Sequence, residues 1–370
     1  MIHVLNVISD ANIGGAGRCL LNFLKYYDRN KYTVSVALPI DSQLIPEIKR
    51  LNTPIYEIPD FADKSFSITA TLTLRSLIKT LKPDVVHTHG AMAGRIAAKG
   101  TGAKIVYTRH SAFPVSDRIK KNPGRFLYKT VNEFFSDRIF AVSQACCDNL
   151  TDGGIDPKRI TVMLNGVEAV TPVLSDEAAA MKIHYNIAPD EFVMGIMARI
   201  EDYKGHVYIL EALRQLVDEG RKVKLIIAGE GDYADTVKQR CHELGLDKHV
   251  VFAGFVRNVA AVLSIMDLQL NASYGTEASS LAMIEAFSMG IPVVASDYGG
   301  NPWMVVPGEN GYLFPSRDSA AMAKAIGKIM DDPGLYDYLC RRSKEIYHQR
   351  FTGEIFARNV EAVYDLALEG

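Results

Sequence analysis

TEASSLAMIEAFSMGIPVVASDYGGNP, residues Thr276–Pro302, joins a helical pattern that is apolar nearly all round to a run, IPVVAS, that is apolar throughout. A helix with so little charge is covered on most of its surface. A strand without polar alternation is buried on both faces, as in a parallel sheet. Two glutamates, Glu277 and Glu285, stand against this background. Glu285 falls in the middle of the apolar helix. Such a carboxylate is either satisfied internally or is there to hold a ligand.

The same pairing of apolar strand and longer helix repeats outward along the chain. IHVLNVI, YTVSVAL, DVVH, KIVYT and RIFAV read as strands in the first half. FVMGIM, VKLIIAG, HVVFAG, DLQLNAS and IPVVAS do so in the second. Helical patterns such as GRCLLNFLKYY and HVYILEALRQLVDEG lie between them. The alternation predicts α/β architecture with doubly wound parallel sheets. At 370 residues the chain suits two domains rather than one core. The alternation pauses at NGVEAVTPVLSDEAAAMKIHYNIAPD, which reads as the connection between two Rossmann-like domains. The expected divisions are an N-terminal domain over 1–166, a connection over 167–190, a C-terminal domain over 191–348 and a final helix over 349–370. That helix has no strand after it, so its apolar side (Phe351, Phe356, Val360, Val363, Tyr364, Leu366) must pack on something already built, and it is expected to cross back to the first domain.

The hydrophobic fraction of 48% and charged fraction of 23% suit a globular protein, and a net charge of −2 makes no case for nucleic acid. MIHVLNVISD reads as a first strand rather than a signal peptide, and no run approaches a transmembrane length. The five cysteines are scattered, with no zinc-type spacing, so a reducing cytoplasm is the expected compartment.

In open α/β sheets ligands sit beyond the carboxyl ends of the strands. IGGAGR follows the first strand, where Gly14 and Gly15 would either let backbone N–H groups approach an anion or simply form a tight turn. It is no dinucleotide fingerprint, because Leu20 stands where Gly or Ala is needed. GEGDYA, starting at Gly229, fits G-x-G-x-x-A but follows the second strand of its domain, so a turn bordering the ligand cleft is expected instead. Arg199 and Lys204 in MARIEDYKGH lie around a helix start, where two cations suit a diphosphate or are ordinary solvated charges. His87, His89 and His110 end adjacent strands, with His110 the favoured functional one; no carboxylate or cysteine accompanies them at metal-ligand spacing. DRIKKNPGRFLYK, Asp117–Lys129, is basic and aromatic. It reads as a solvated face, or as a contact for a phosphate-bearing acceptor or an anionic membrane surface.

Glu277 and Glu285, separated by seven residues and followed by Gly290-Ile-Pro-Val-Val-Ala, resemble the E-x7-E signature of retaining glycosyltransferases of family 4. IGGAGR, HTHG, TRH, NGV, ARIEDYKG, IIAGEGD, VVFAGFV and GGNPWMVVPGENGYLF extend the resemblance over nearly the whole chain. The resemblance implies a GT-B fold, two Rossmann-like domains facing a cleft. It implies transfer of a hexose-type sugar from a nucleotide-sugar donor, UDP-linked by preference, to a saccharide or lipid-linked glycan. No metal or other cofactor is implied. The setting would be cytoplasmic, with peripheral contact at the inner membrane face. By matched position, Glu285 would hold the ribose diol and Glu277 would lie beside the donor sugar. Ser279, Ser280 and Leu281 would meet the phosphates. Arg199 and Lys204 would neutralise the diphosphate, with Gly14 and Gly15 closing on it. His110 would lie near the transferred sugar, and Phe255 and Val256 near the base. Glu277-Ala-Ser-Ser departs from the Glu-Gly-Phe-Gly common in relatives, and Glu168 stands where Asp is common. A nucleotide-sugar epimerase, which also pairs two such domains, is the alternative reading.

Overall fold

A computed structural model describes residues 1–369. Its strands form two sheets, all parallel, each in its own unit of the chain. In the first unit β1 (Ile2–Ile8), β2 (Tyr32–Pro39), β3 (Ile55–Ile58), β4 (Val85–His89), β5 (Lys104–Arg109), β6 (Arg138–Ala141) and β7 (Ile160–Val162) take the order β3-β2-β1-β4-β5-β6-β7. In the second, β8 (Phe192–Met197), β9 (Val223–Ala228), β10 (Val250–Gly254), β11 (Leu268–Asn271), β12 (Val293–Ser296) and β13 (Gly311–Phe314) take the order β10-β9-β8-β11-β12-β13. Each chain starts at the middle of its sheet, winds outward one way, then returns to build the other side. The strand order therefore reverses between β1 and β4 and again between β8 and β11. At such a point the loops leaving two neighbouring strands diverge to opposite faces and open a crevice.

The opening stretch behaves as its apolarity requires. The helix Leu281–Ser288 is followed by Gly290 at φ 79°, a left-handed conformation suited to glycine, and the chain turns into β12. Val293, Val294 and Ala295 are fully buried. β1 keeps register with β2 from Ile2–Tyr32 to Val7–Ala37 and with β4 from Val4–Val85 to Ile8–His89. The first core gathers Leu5, Val7, Ala37, Val86 and Ile105; the second gathers Met194, Ile196, Leu225, Ile227, Leu270 and Val294.

Three strands have no counterpart in the expected set: β3, β7 and β13. Each is four residues or fewer, sits at or near a sheet edge, and is only partly covered, so its run is neither long nor uniformly apolar. The boundaries also differ from those expected. The first unit is 1–167 together with the residues from Thr352 on, and the second is Glu168–Phe351. Residues 168–190 thus belong to the second unit: Val170 N–H donates to Ser288 Oγ (3.0 Å) and Val173 N–H to Ser264 Oγ (3.0 Å).

The last helix, Gly353–Glu369, packs on the first unit, with Phe356, Val360, Val363 and Tyr364 buried. Two residues expected on its apolar side are elsewhere. Phe351 precedes the helix and stacks on Phe287 (centroids 6.0 Å apart), and Leu366 is 44% exposed. Gly370, the end of the expected 349–370 helix, lies outside the described residues.

Candidate active site

In the second unit the loops leaving β8 and β11 are held together by backbone. Tyr274 N–H donates to Tyr203 O (2.9 Å), and Gly205, at φ 74°, lies so close to Ala272 that a Cβ would stand 2.1 Å from its carbonyl oxygen. No side chain fits there. This contact carries Lys204, from the first loop, to Glu277, from the second: Nζ and Oε2 are 2.9 Å apart. The same Oε2 accepts from Asn271 Nδ2 (3.0 Å) and Ser273 Oγ (2.9 Å). Burial pushes the Glu277 carboxyl up, but the Lys204 charge and the three hydrogen bonds outweigh it and hold the group below its ordinary value. Glu277 is therefore an ionised carboxylate, 7% exposed and fixed from three directions.

The backbone of Glu277 is fixed as well. Gly300 N–H donates to its carbonyl (2.9 Å), and Gly299, at φ 62°, is pressed against it, a Cβ there standing 2.3 Å from the same oxygen. Asn301, fully buried, donates to Asn271 Oδ1 (3.4 Å) and Ser296 Oγ (3.2 Å). Asn271, Ser273, Gly299 and Asn301 were not picked out from the sequence. A strand end reading LQLNAS hides Asn271 and Ser273 in an apparent core run; only GGN offers a glycine signal.

Ser280 caps the helix Leu281–Ser288, its Oγ accepting from Met283 N–H (3.4 Å). Ser279 Oγ, one residue earlier, is buried without a hydrogen-bond partner, which in a native site calls for an explanation. Leu281 opens the helix and Glu285 follows one turn later on the same side, half-buried. Arg199 is exposed and stands apart from Lys204's ion pair, its Nη2 3.4 Å from Tyr203 Oη. His206 begins the helix after Gly205. Burial, and then Lys204, push it down to about 4, and neither buried ring nitrogen has a partner.

Gly229 serves a close backbone approach. At φ 151° its Cβ would stand 1.9 Å from Ala198 O, and Ile200 N–H donates to Glu230 O (2.9 Å). The glycines of GEGD thus let the loop after β9 lie against the loop carrying Arg199. Phe255, just past β10, is 66% exposed, while Val256 packs into the core below.

In the first unit Gly14 caps the helix Gly15–Tyr26 without a side-chain partner. A Cβ on Gly17 would meet Leu44 at 2.9 Å, so that glycine is demanded by packing. A Cβ on Gly15 would meet nothing within 4 Å, so the protein's own packing does not require it. Asp10 lies beside this loop; burial, then the charge of Asp63, raise its carboxyl to about 6.

The three histidines form a row, with ring centroids 4.4 Å (His87–His89) and 5.2 Å (His89–His110) apart. His87 is buried between Tyr364 Oη (2.7 Å from Nδ1) and Thr108 Oγ1 (2.5 Å from Nε2), a packed structural residue. His89 Nδ1 is 2.9 Å from His110 Nε2, and His89 Nε2 is 3.1 Å from Asn6 Oδ1. Burial holds all three well below their ordinary value, His87 at about 3 and His110 at about 4. They are neutral near pH 7. With Asn6 Oδ1 accepting from His89, His89 Nδ1 accepts from His110 Nε2–H, and His110 Nδ1 carries the lone pair. Among the described residues no group of three or more His, Cys, Asp or Glu could hold a metal ion.

Known protein families match this chain over most of its length. Residues 13–170 match the family described as Glycosyltransferase Family 4, and residues 179–346 match Glycosyl transferases group 1. The chain is 25% identical over 315 residues to the UDP-Gal:alpha-D-GlcNAc-diphosphoundecaprenol alpha-1,3-galactosyltransferase of Escherichia coli, covering 80% of this chain and 78% of that one. It is 26% identical over 290 residues to the N-acetyl-alpha-D-glucosaminyl L-malate synthase of Bacillus anthracis, covering 76% and 74%. The crystal structure of HepE from Anabaena in complex with UDP superposes with a TM-score of 0.85 at 22% identity, covering 99% of this chain and all of that one. That likeness establishes the GT-B fold.

Proposed function

Since the chain belongs to the family 4 glycosyltransferases, we propose that it transfers a hexose-type sugar, with retention, from a UDP-sugar to a saccharide or lipid-linked glycan. The observation that carries the reading is the Lys204–Glu277 pair, largely out of water, two positions before the unpartnered Ser279 Oγ, where the strand order of the second unit reverses.

Breaking a sugar–phosphate bond puts charge on the departing diphosphate, which preorganised donors can stabilise. An ammonium has three donors, and Glu277 occupies one of Lys204's; the others are available to a phosphate oxygen. Arg199, Ser279 and the start of the helix Leu281–Ser288 add donors on the same side of the sheet. Glu285 accepts from the ribose hydroxyls one turn along. Glu277, held by three donors, orients the sugar's hydroxyls; a carboxylate so engaged is a poor nucleophile. Attack by the acceptor from the leaving-group face, through an oxocarbenium-like state, then needs no covalent intermediate. Gly14, Gly15 and a neutral His110 contribute from the first unit. The diphosphate charge is met by side chains, so no metal is required. The UDP-Gal in the name of the Escherichia coli relative and the UDP bound in the HepE crystal structure support the choice of nucleotide.

A panel of UDP- and GDP-hexoses, scored for nucleotide release against pooled saccharide and lipid-linked acceptors, tests the reading. Acceptor-dependent UDP release is expected, undiminished by EDTA, with the donor's anomeric configuration kept in the product by NMR. A new nucleotide-sugar formed without acceptor would make the protein an epimerase instead.

A further inference from the structure

From Val4 to Ile8 the strand β1 is buried throughout, and Asn6 is its one polar residue there. Register sets where its side chain goes. Asn6 is the partner of His87 across β1 and β4, and His89 is the partner of Thr108 across β4 and β5. Side chains alternate along a strand and register partners point the same way. Asn6, His87, His89, Thr108 and, just past β5, His110 therefore fall on one face of the sheet.

A buried amide is costly unless it is bonded. Asn6 gains a single hydrogen bond, Oδ1 to His89 Nε2 at 3.1 Å, and its Nδ2 is buried without a partner. An apolar side chain of similar shape would fill the same place in the sheet with no group left unpaired on β1. What Asn6 supplies beyond packing is the constraint on His89. Exposure rises along the row from there: Asn6 and His89 are buried, and His110 is half-buried. His110 Nε2 lies 2.9 Å from His89 Nδ1, and among the described residues no hydrogen bond ends at His110 Nδ1.

We propose that Asn6 and His89 are positioning residues: acting through His110, they hold its ring in one tautomer, with the hydrogen on Nε2 and Nδ1 kept as an acceptor for a hydroxyl of the transferred sugar. A lone neutral imidazole can carry its hydrogen on either nitrogen, so it can meet a hydroxyl as donor or as acceptor. A chain of single hydrogen bonds that ends on an amide oxygen removes the choice, because that oxygen only accepts. The two stacked rings, tilted by 24°, keep the bond between them aligned. The part played by the sugar rests on the reading of the chain as a sugar transferase; the relay from Asn6 to His110 does not.

The test reads the histidine ring nitrogens of the full chain, selectively labelled and free of ligand, by ¹H–¹⁵N NMR. His110 is assigned by the signals that vanish in His110→Ala. Wild type should show His110 in one form, with Nε2 the hydrogen-bearing nitrogen. Asn6→Leu and His89→Phe keep apolar bulk in place, and each should move both His110 nitrogens toward averaged shifts as the tautomers mix. Each should also lower kcat/KM for transfer by roughly two- to tenfold, the worth of one hydrogen bond. In a His110→Ala background neither should cost anything further, whereas a merely structural role would add its loss to that of His110→Ala. A hydrogen on His110 Nδ1 in wild type, with the relay running the other way from Asn6 Nδ2, overturns the proposal, and so do additive losses. If both relay variants fail to fold, the wild-type spectrum decides alone. If no donor is turned over, the transferase reading fails while the nitrogen shifts still decide the relay.

Discussion

A lysine and a glutamate 2.9 Å apart and largely out of water depend on each other. Removing one partner leaves the other's charge buried, at a cost of about 3–5 kcal/mol. Lys204→Ala should therefore act twice: urea melts should shift by about 3 kcal/mol, and turnover should fall by about 10²–10³ for the lost diphosphate donor. Arg199, exposed, should separate the two effects. Arg199→Ala should lose a similar factor in turnover while stability stays within about 0.5 kcal/mol. Steady-state kinetics beside the melts would show it, and near wild-type transfer by both variants would remove the diphosphate role. Glu285 is tested by binding alone. If it accepts from the ribose hydroxyls, Glu285→Ala should weaken UDP by about 1–3 kcal/mol in calorimetry, and unchanged affinity in a folded variant would end that assignment. Lys204 and Glu277 can each be picked out in the sequence by their place after a strand. That they touch cannot, because 73 residues separate them and the contact depends on Gly205 meeting Ala272. Asn271 and Ser273 were illegible for a related reason: at a strand end, only the neighbouring loop tells a buried polar side chain from a core one.

Loops, rather than strands, carry the candidate chemistry, and glycines set the loops. Gly299→Ala would place a Cβ 2.3 Å from Glu277 O at a φ of 62°, strain of about 1–3 kcal/mol for a non-glycine residue. Relief must come by shifting the Glu277 backbone, so transfer should fall more than UDP affinity does, measured on one preparation. Equal loss of both would mean general unfolding rather than a displaced carboxylate. The strand ends of the first unit make a different prediction. His87, His89 and His110 are held neutral by burial, whereas unfolded histidine takes up protons near 6.5. Below that pH the unfolded chain binds more protons, so this contribution is full above about 6.5 and is lost as the pH falls toward 4. Urea midpoints should drop from pH 7 to pH 5, by at most about 2 kcal/mol per histidine; a flat profile would show that the row is not neutral in the fold. Sequence reading served long elements best. IHVLNVI and VKLIIA are mostly apolar strands of seven and six residues, buried along nearly their whole length, so burial on both faces fits them best. IYEI, ITV and GYLF are too short, and too partly covered, for periodicity to register.

The chain leaves its first unit after Val167 and returns at Thr352, and the two crossings are neighbours: Val167 and Thr352 form a parallel bridge. Gly166 makes this possible, since a Cβ there would stand 2.3 Å from Thr352 O and 2.7 Å from Phe356 Cβ, and its carbonyl accepts from Asn22 Nδ2 (2.9 Å). The NGV of the family resemblance is thus a seat for the returning chain. The returning helix completes the first core: Tyr364 donates or accepts at His87, its ring meets Phe23 and Tyr32, and Asp365 pairs with Lys31 at 2.6 Å. The first unit is discontinuous in sequence and the second, Glu168–Phe351, is continuous, so the two should respond differently to excision. Residues 1–167 alone would expose the surface that Phe356, Val360, Val363 and Tyr364 cover, and should be aggregation-prone; a peptide from Thr352 on should restore a cooperative melt. Residues 168–351 keep their own sheet and core and should melt cooperatively unaided. They also hold Arg199, Lys204, Ser279, Glu277 and Glu285. If those residues form the donor site, the excised unit should bind UDP within about tenfold of the full chain, a difference of about 1.4 kcal/mol, while transferring no sugar, because Gly14, Gly15 and His110 lie in the other unit. Calorimetry on the excised unit decides it. A folded fragment without measurable UDP affinity would mean that the first unit supplies the dominant nucleotide contacts, and the assignment of the donor to the second unit would fall with it.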